Sequence, residues 1–460
     1  MAGKARLTTG SITGHLIGQT TPAIIAIAAM TSVGIVDAYF IGRLGGTELA
    51  AMSFVFPVAQ ALSSLGVGVM AAIASVVSRR LGADEFERAH RTANLGIVLA
   101  TALGVLMAIV LFSLRHPLFR AMNAPPELLQ LIDLFMVPYS IGFPLLLVLM
   151  GLNGTLRAMG EAKKSSAIMI AMAGSNLVLN PLLIDGLGIL PGYGIAGSAY
   201  ATILGMLLAT VLGFLAIRHT DLPFRPAILK NCHWGANTKA LARIAGPASI
   251  ANSINPMGLS ILTGLLALES AAAVAGYGAA TRLQAFAIVP LLGLSGSIGA
   301  IVGQNWGAGH RDRARSALIQ SGIFCLGYGL AVALIMVLAR EPLARMFSSD
   351  PAIIANFTHY LVIAAWGYAG FGLLIVTNGA LNAIDRSGTA LLLSAARVVL
   401  LMLPAAWLLR GTWGASGLFT AELVANLGGG LLAALLVLYL FRPGQGRSIP
   451  AAATEPEVVS

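Results

Sequence analysis

Charge is what this sequence lacks most. Only 10% of its 460 residues are Asp, Glu, Lys or Arg, against about 25% in a soluble domain whose surface must stay wetted. So little charge cannot cover a water-exposed surface for a chain this long, so lipid is expected to be its main solvent. Cysteine is nearly absent too: Cys232 and Cys325 are the two present, with neither metal spacing nor a disulfide framework. The seven histidines fall near predicted loops and helix ends, so no zinc cluster and no Ser/His pair is placed inside a span, and an enzyme is not expected. No GxxxxGK[ST] loop occurs, and the glycines of RRLGADEFERAHR and NWGAGHRDRARS follow no strand, so nucleotide does not power the chain from within. No cofactor or resident metal is expected beyond a coupling ion. The opening MAGKARLTTGSITG is polar and lacks a signal-peptide cleavage pattern, so the first apolar stretch reads as a retained span.

What is abundant is apolar length. Hydrophobic residues make up 57% of the chain and the mean hydropathy is +0.85. A spanning helix needs about 20 such residues, and segments of that kind lie near 14–40, 49–77, 93–114, 131–156, 165–189 and 193–217. A second set lies near 240–267, 272–302, 316–339, 354–382, 388–409 and 413–441. The expected fold is therefore an all-α membrane protein of twelve transmembrane helices. Residues 1–13 form a cytoplasmic N-terminal segment, 14–217 an N-lobe, 218–239 a cytoplasmic linker and 240–441 a C-lobe. Residues 442–460 form a tail whose composition reads as disordered.

The formal charge of +10 is explained by where the cations fall. Of the 28 Lys and Arg residues, 20 lie on one set of alternate loops, from Lys4 and Arg6 through Lys163 and Arg311 to Arg442 and Arg447. Six lie on the other set: Arg43, Arg115, Arg120, Arg340, Arg345 and Arg410. Arg282 and Arg397 lie within spans. Such a bias places both termini in the cytoplasm, most simply at a bacterial inner membrane. It accounts for the positive charge without a nucleic-acid partner.

The two halves repeat at an offset of 225 residues. Pro22 matches Pro247, Gly68 matches Gly293, and LGADEFERA with Gly82 matches WGAGHRDRA with Gly307. Pro117 matches Pro342, Pro126 matches Pro351, Gly142 matches Gly367, and Asn153-Gly154 matches Asn378-Gly379. The offset then shortens to 220, pairing Gly194 and Gly197 with Gly414 and Gly417. Each half has an even number of helices, so both enter from the same side and the repeats are parallel. Two lobes with a cleft between them suit alternating access better than a channel.

Within the spans, Asp37 is the sharpest candidate. It lies six residues before Arg43, about 9 Å below the outer boundary. Placing a carboxylate at membrane depth costs about 2.5–3.5 kcal/mol, so it is expected to bind a cation, take a proton, or pair, with Arg43 as the structural alternative. Asn180 and Asn176 lie about 7 and 13 Å below the outer edge on one face of the fifth helix, and Thr202 about 12 Å down the sixth. One carboxylate, two amides and a hydroxyl at similar depth suit a hard cation such as Na+ or a protonatable hydrogen-bond network. Taken singly, each of the neutral groups is more often glue between helices. Tyr139 lies at compatible depth, with core packing as the plainer reading. Pro22 permits a bend in the first helix and could serve as a hinge. Arg397 and Glu422, on successive spans, read as a structural ion pair, with attraction of a cationic substrate by Glu422 as the rival. Arg282 is expected to pair or snorkel.

The motifs VDAYFIGRLGGTELAAMS (36–53), LNGTLRAMGEAK (152–163), NLVLNPLLI (176–184) and YGAATRLQAFAIVPLLGLSGSIGAIVGQNWGAG (277–309), in this order and in both halves, resemble the multidrug and toxic compound extrusion (MATE) family. The resemblance spans nearly the whole chain. It implies two six-helix lobes around a V-shaped cleft and export of drugs or organic cations driven by Na+ or H+, with the coupling site in the N-lobe. It implies no obligatory protein partner. Some members carry a second carboxylate where this chain has Asn180. The NorM-like branch has acidic residues in the second lobe where this chain has Asn255 and Phe371, so the chain looks closer to the DinF-like branch. A flippase for a lipid-linked precursor, which would want basic residues in the cleft, is the alternative function.

Overall fold

A computed structural model describes residues 5–186 and 191–441. The expectations for Lys4, Arg442, Arg447 and the tail 442–460 lie outside the described residues. The first half is six long helices: α1 (Ile12–Leu44), α2 (Gly46–Gly82), α3 (Phe86–Ala121), α4 (Pro126–Ala158), α5 (Ala162–Ile184) and α6 (Ile195–Arg218). The second half begins with α7 (Trp234–Ala267), α8 (Ala271–Ala287), α9 (Val289–Gly307) and α10 (Arg311–Leu338). It continues with α11 (Arg340–Phe347), α12 (Pro351–Ala364), α13 (Tyr368–Ala383), α14 (Ser387–Ala395), α15 (Leu403–Trp413) and α16 (Ala415–Leu440). Eleven spans are long and apolar enough to cross a membrane, and α8 with α9, bent by 41° at their junction, makes a twelfth. The protein is thus the twelve-helix membrane fold expected from its composition. The span near 354–382 is α12 and α13 joined by a short 3-10 turn. That near 388–409 is α14 and α15 joined by a π-helical turn at Ala396–Met402. Sequence reading missed α11, whose eight residues are too short to register as a span.

Packing repeats with the sequence. In the first half α4 is the hub, lying on α2, α3 and α6, while α5 packs on α1 and α6. In the second half α13 takes the place of α4, on α9, α10 and α16, while α14 packs on α7 and α15 on α16. The left-handed turn positions recur with the sequence repeat, at 225 residues and then at 220. Asp84 (φ 58°) matches Gly309 (75°), Gly160 (80°) matches Asp385 (64°), and Gly194 matches Gly414, both at 55°. At Gly194 and Gly414 ψ is −133° and −130°, a backbone region open essentially to glycine.

The lobes are stitched together at one end, which carries the α2–α3, α4–α5 and α9–α10 turns. There Arg79 donates to the carbonyl of Ala383 (2.6 Å) and Gln304 to that of Ala158 (2.6 Å). Asn305 donates to Leu7 O (3.0 Å), and Arg313 donates to Gly10 O (2.9 Å). Small residues let the backbones meet. A Cβ on Gly82 would lie 2.0 Å from the carbonyl oxygen of Gln304, and one on Gly307 equally 2.0 Å from that of Arg79. Further in, Gly68 rests on Ala245 and Ser249, and its repeat partner Gly293 rests on Ile24. The seam is therefore built twice by the same geometry. Toward the other end such close contacts stop, and a Cβ on Gly34 of α1 or Gly278 of α8 would meet no atom within 4 Å, in keeping with the V-shaped cleft expected between the lobes.

Candidate functional site

The N-lobe polar site forms because α5 carries two amides one turn apart, facing α1 on one side and α6 on the other. Asn180 donates through Nδ2 to the Asp37 carboxylate of α1. The same nitrogen donates to Asn176 Oδ1 (3.0 Å), and Asn176 Nδ2 donates to Thr202 Oγ1 of α6 (3.2 Å). Asp37, Asn180, Asn176 and Thr202 are thus one continuous hydrogen-bonded run linking three helices. Asn176 and Asn180 are buried, whereas Asp37 is partly buried, so the charge sits at the less enclosed end of the run. Asn180 Oδ1 is buried without a hydrogen-bond donor. Its lone pairs are free beside a carboxylate, which is the arrangement a proton-bearing carboxyl or a hard cation requires.

Arg43 is not the partner of Asp37. It reaches Asp185 instead, at 3.6 Å, because both lie at the helix ends by the α1–α2 and α5–α6 turns. Tyr139 is buried between Phe135 (centroids 5.6 Å apart, stacked) and Phe143 (6.4 Å), in the hub helix and apart from the hydrogen-bonded run. Pro22 lies in the lower part of α1, two residues before Ile24, which touches the seam glycine Gly293.

The expected ion pair between Arg397 and Glu422 does not form. Arg397 donates to Asn426 Oδ1 (2.9 Å) and Asn255 Oδ1 (2.8 Å), and its guanidinium lies 4.4 Å over the ring of Phe371. Glu422 instead accepts from Gln284 Nε2 (3.0 Å), Tyr360 OH (3.2 Å) and Tyr277 OH (3.4 Å). The physical reason is the π-helical turn, which holds Arg397, together with the one-turn offset of Glu422 and Asn426 along α16. Each charge is satisfied by neutral groups before it can meet the other. Nor does Glu422 face the cleft, since it is 0% exposed. Sequence reasoning missed Tyr277, Gln284, Tyr360 and Asn426. The seven-residue spacing of Tyr277 and Gln284 on one face of α8, and the four-residue spacing of Glu422 and Asn426, are the signals that could have found them. Arg282 does not pair: it is exposed on α8 with no hydrogen bond or ion pair among the described residues.

Comparison with known proteins agrees with this architecture. The MatE family model matches residues 22–182 and again residues 247–408, the same offset of 225 at which the helices repeat. The FAD transporter of Shewanella oneidensis is 34% identical over 418 residues, covering 90% of this chain and 91% of that protein. The multidrug resistance protein PmpM of Pseudomonas aeruginosa is 26% identical over 383 residues, covering 83% and 80%. Among solved structures, a mutant of the Vibrio cholerae MATE transporter VcmN superposes with a TM-score of 0.90 at 27% identity, covering 95% and 98%. Twelve spans, a duplicated seam and two matches to one family model lead to one assignment: the chain belongs to the MATE family of multi-pass membrane transporters.

Proposed function

We propose that the protein is a secondary active antiporter that exports small organic compounds in exchange for H+ or Na+, with the ion handled at Asp37. The observation that carries this reading is the run Asp37–Asn180–Asn176–Thr202, in which a partly buried carboxylate is tied by one amide to a buried network. An ionised carboxylate accepts the Asn180 bond strongly. Occupation by a proton or cation weakens that bond and loosens α1 from α5, and Pro22 lets the lower part of α1 bend in response. The ion thereby acquires different affinities for two shapes of the transporter, which coupling requires. Coupling through the N-lobe alone fits the DinF-like branch. In the second lobe Asn255 and Phe371 are taken up by Arg397.

The charge bias of the loops supports cytoplasmic termini at a bacterial inner membrane, with the parted end of the lobes facing outward. The relatives' names divide the substrate question. The name multidrug resistance protein points to varied drugs, whereas the name FAD transporter points to a flavin nucleotide. The test is transport by purified protein in liposomes with Na+ and H+ gradients imposed separately, comparing wild type with Asp37→Asn. One gradient should drive flux in the wild type and fail in the mutant. Equal gradient-driven flux in both would overturn the role of Asp37.

A further inference from the structure

We infer that Arg282 is an anion anchor in the cleft and that it selects aromatic compounds bearing a phosphate. Below the parting of the lobes, one face of α9 meets the N-lobe: Gly293 lies on Ile24, Gly303 on Ser78 and Gly307 on Arg79. Followed toward the open end, that face continues onto α8, which also approaches α1. Phe286 and Arg282 stand seven and eleven residues before Gly293, about two and three helical turns back, across the 41° bend that joins α9 to α8. Both are exposed, while the opposite face of α8 (Tyr277, Ala280, Gln284, Ala287) is buried in the C-lobe. The stripe that closes the seam at one end therefore lines the cleft at the other, and Arg282 stands on it.

Its chemistry follows from what surrounds it. Arg282 has no hydrogen bond or ion pair among the described residues, and an arginine facing lipid in mid-span costs about 2.5–3.5 kcal/mol. A water-filled cleft removes that cost. Of the two intramembrane carboxylates, Glu422 is fully buried under three donors and pairs with no cation there, and Asp37 lies on α1, bonded to Asn180 of α5 rather than to Arg282. A guanidinium offers a planar fork that fits phosphate oxygens bidentately, and Phe286, one turn away on the same face and 40% exposed, offers a ring for an aromatic system to stack against. The organic-cation preference implied by the family resemblance is the reading this displaces.

The inference rests on the proposed export of organic compounds, and its test is built to fail separately from it. Riboflavin and flavin mononucleotide differ by one phosphate, and ethidium is a cation without one. Binding is read from flavin fluorescence on purified protein, and transport in liposomes, for wild type, Arg282→Gln, Arg282→Lys and Asp37→Asn. The wild type should favour the mononucleotide over riboflavin. Arg282→Gln should weaken mononucleotide binding about ten- to a hundredfold while leaving riboflavin and ethidium unchanged, and Arg282→Lys should recover part of the loss. Equal mononucleotide affinity in wild type and Arg282→Gln, or an equal loss for all three compounds, overturns the anchor. So does a wild type that binds ethidium but not the mononucleotide. If Asp37→Asn retains gradient-driven flux while the Arg282 effect persists, the coupling reading falls and the anchor stands.

Discussion

Asn180 of α5 holds the Asp37 carboxylate of α1 with the same amide nitrogen that reaches back 3.0 Å to Asn176 on its own helix. One amide group thus divides its two hydrogens between a charge that can be neutralised and a buried chain that cannot. Removing that amide should cost transport more than stability. Asn180→Ala leaves Asp37 without its donor and Asn176 without one of its partners, a loss of about 1–3 kcal/mol. It should lower ion-driven efflux at least tenfold, with only a modest fall in thermal midpoint in detergent. Unchanged efflux would show that the bond is scaffold alone.

Asp37→Asn should abolish coupling while preserving the fold, because an amide can still accept from Asn180 yet cannot change charge. Uptake of a fluorescent dye into everted vesicles, driven by an imposed gradient, should fall to the level of empty membranes. Facilitated movement down the dye's own gradient should survive. Retained uphill transport would remove Asp37 from the coupling path.

In the C-lobe, Glu422 and Arg397 are buried, at 0% and 3% exposure. Each is bonded to neutral groups rather than to the other. Glu422→Leu leaves Tyr277, Tyr360 and Gln284 without their acceptor and Arg397 without a counter-charge, at a cost of about 3–5 kcal/mol. Glu422→Gln keeps an acceptor and should cost less. Adding Arg397→Met to Glu422→Leu should recover part of the loss in thermal unfolding. If the two losses simply add, the charges are independent.

At the seam, a methyl on Gly82 or Gly307 would meet a backbone carbonyl of the other lobe at 2.0 Å. Gly82→Ala and Gly307→Ala should each disfavour the conformation described here by about 1–3 kcal/mol. Spin labels across the open end of the lobes should report shorter distances in both variants. Identical distance distributions to wild type would mean that the seam adjusts without parting.

Much of this was legible in the residues. Apolar length gave the spans, and the match of Gly82 to Gly307 gave the repeat, because a duplicated half keeps its turns and close contacts long after its side chains diverge. Depth along each helix brought Asp37, Asn176, Asn180 and Thr202 together, since helices of fixed rise cross a slab of fixed thickness. The partners of Arg397 and Glu422 were hidden. They depend on a π-helical turn that rotates Arg397 off the regular helical register, and no periodicity in an apolar run announces such a turn. The place of Arg282 was hidden for a different reason. Which face of α8 looks into the cleft follows from where Gly293 touches Ile24, a contact between residues some 270 positions apart in the chain.

The twinned contacts of Gly82 and Gly307 make the boundary between the halves isologous, as between the subunits of a twofold dimer. Each half contributes the same patch and receives the same patch. Two copies of an ancestral six-helix unit could have met in this way before a single chain joined them. Joining them freed each half to keep a different acid within its spans, Asp37 on the first helix of one and Glu422 on the last helix of the other. A homodimer could not have evolved that division of labour, because every substitution would have appeared in both subunits.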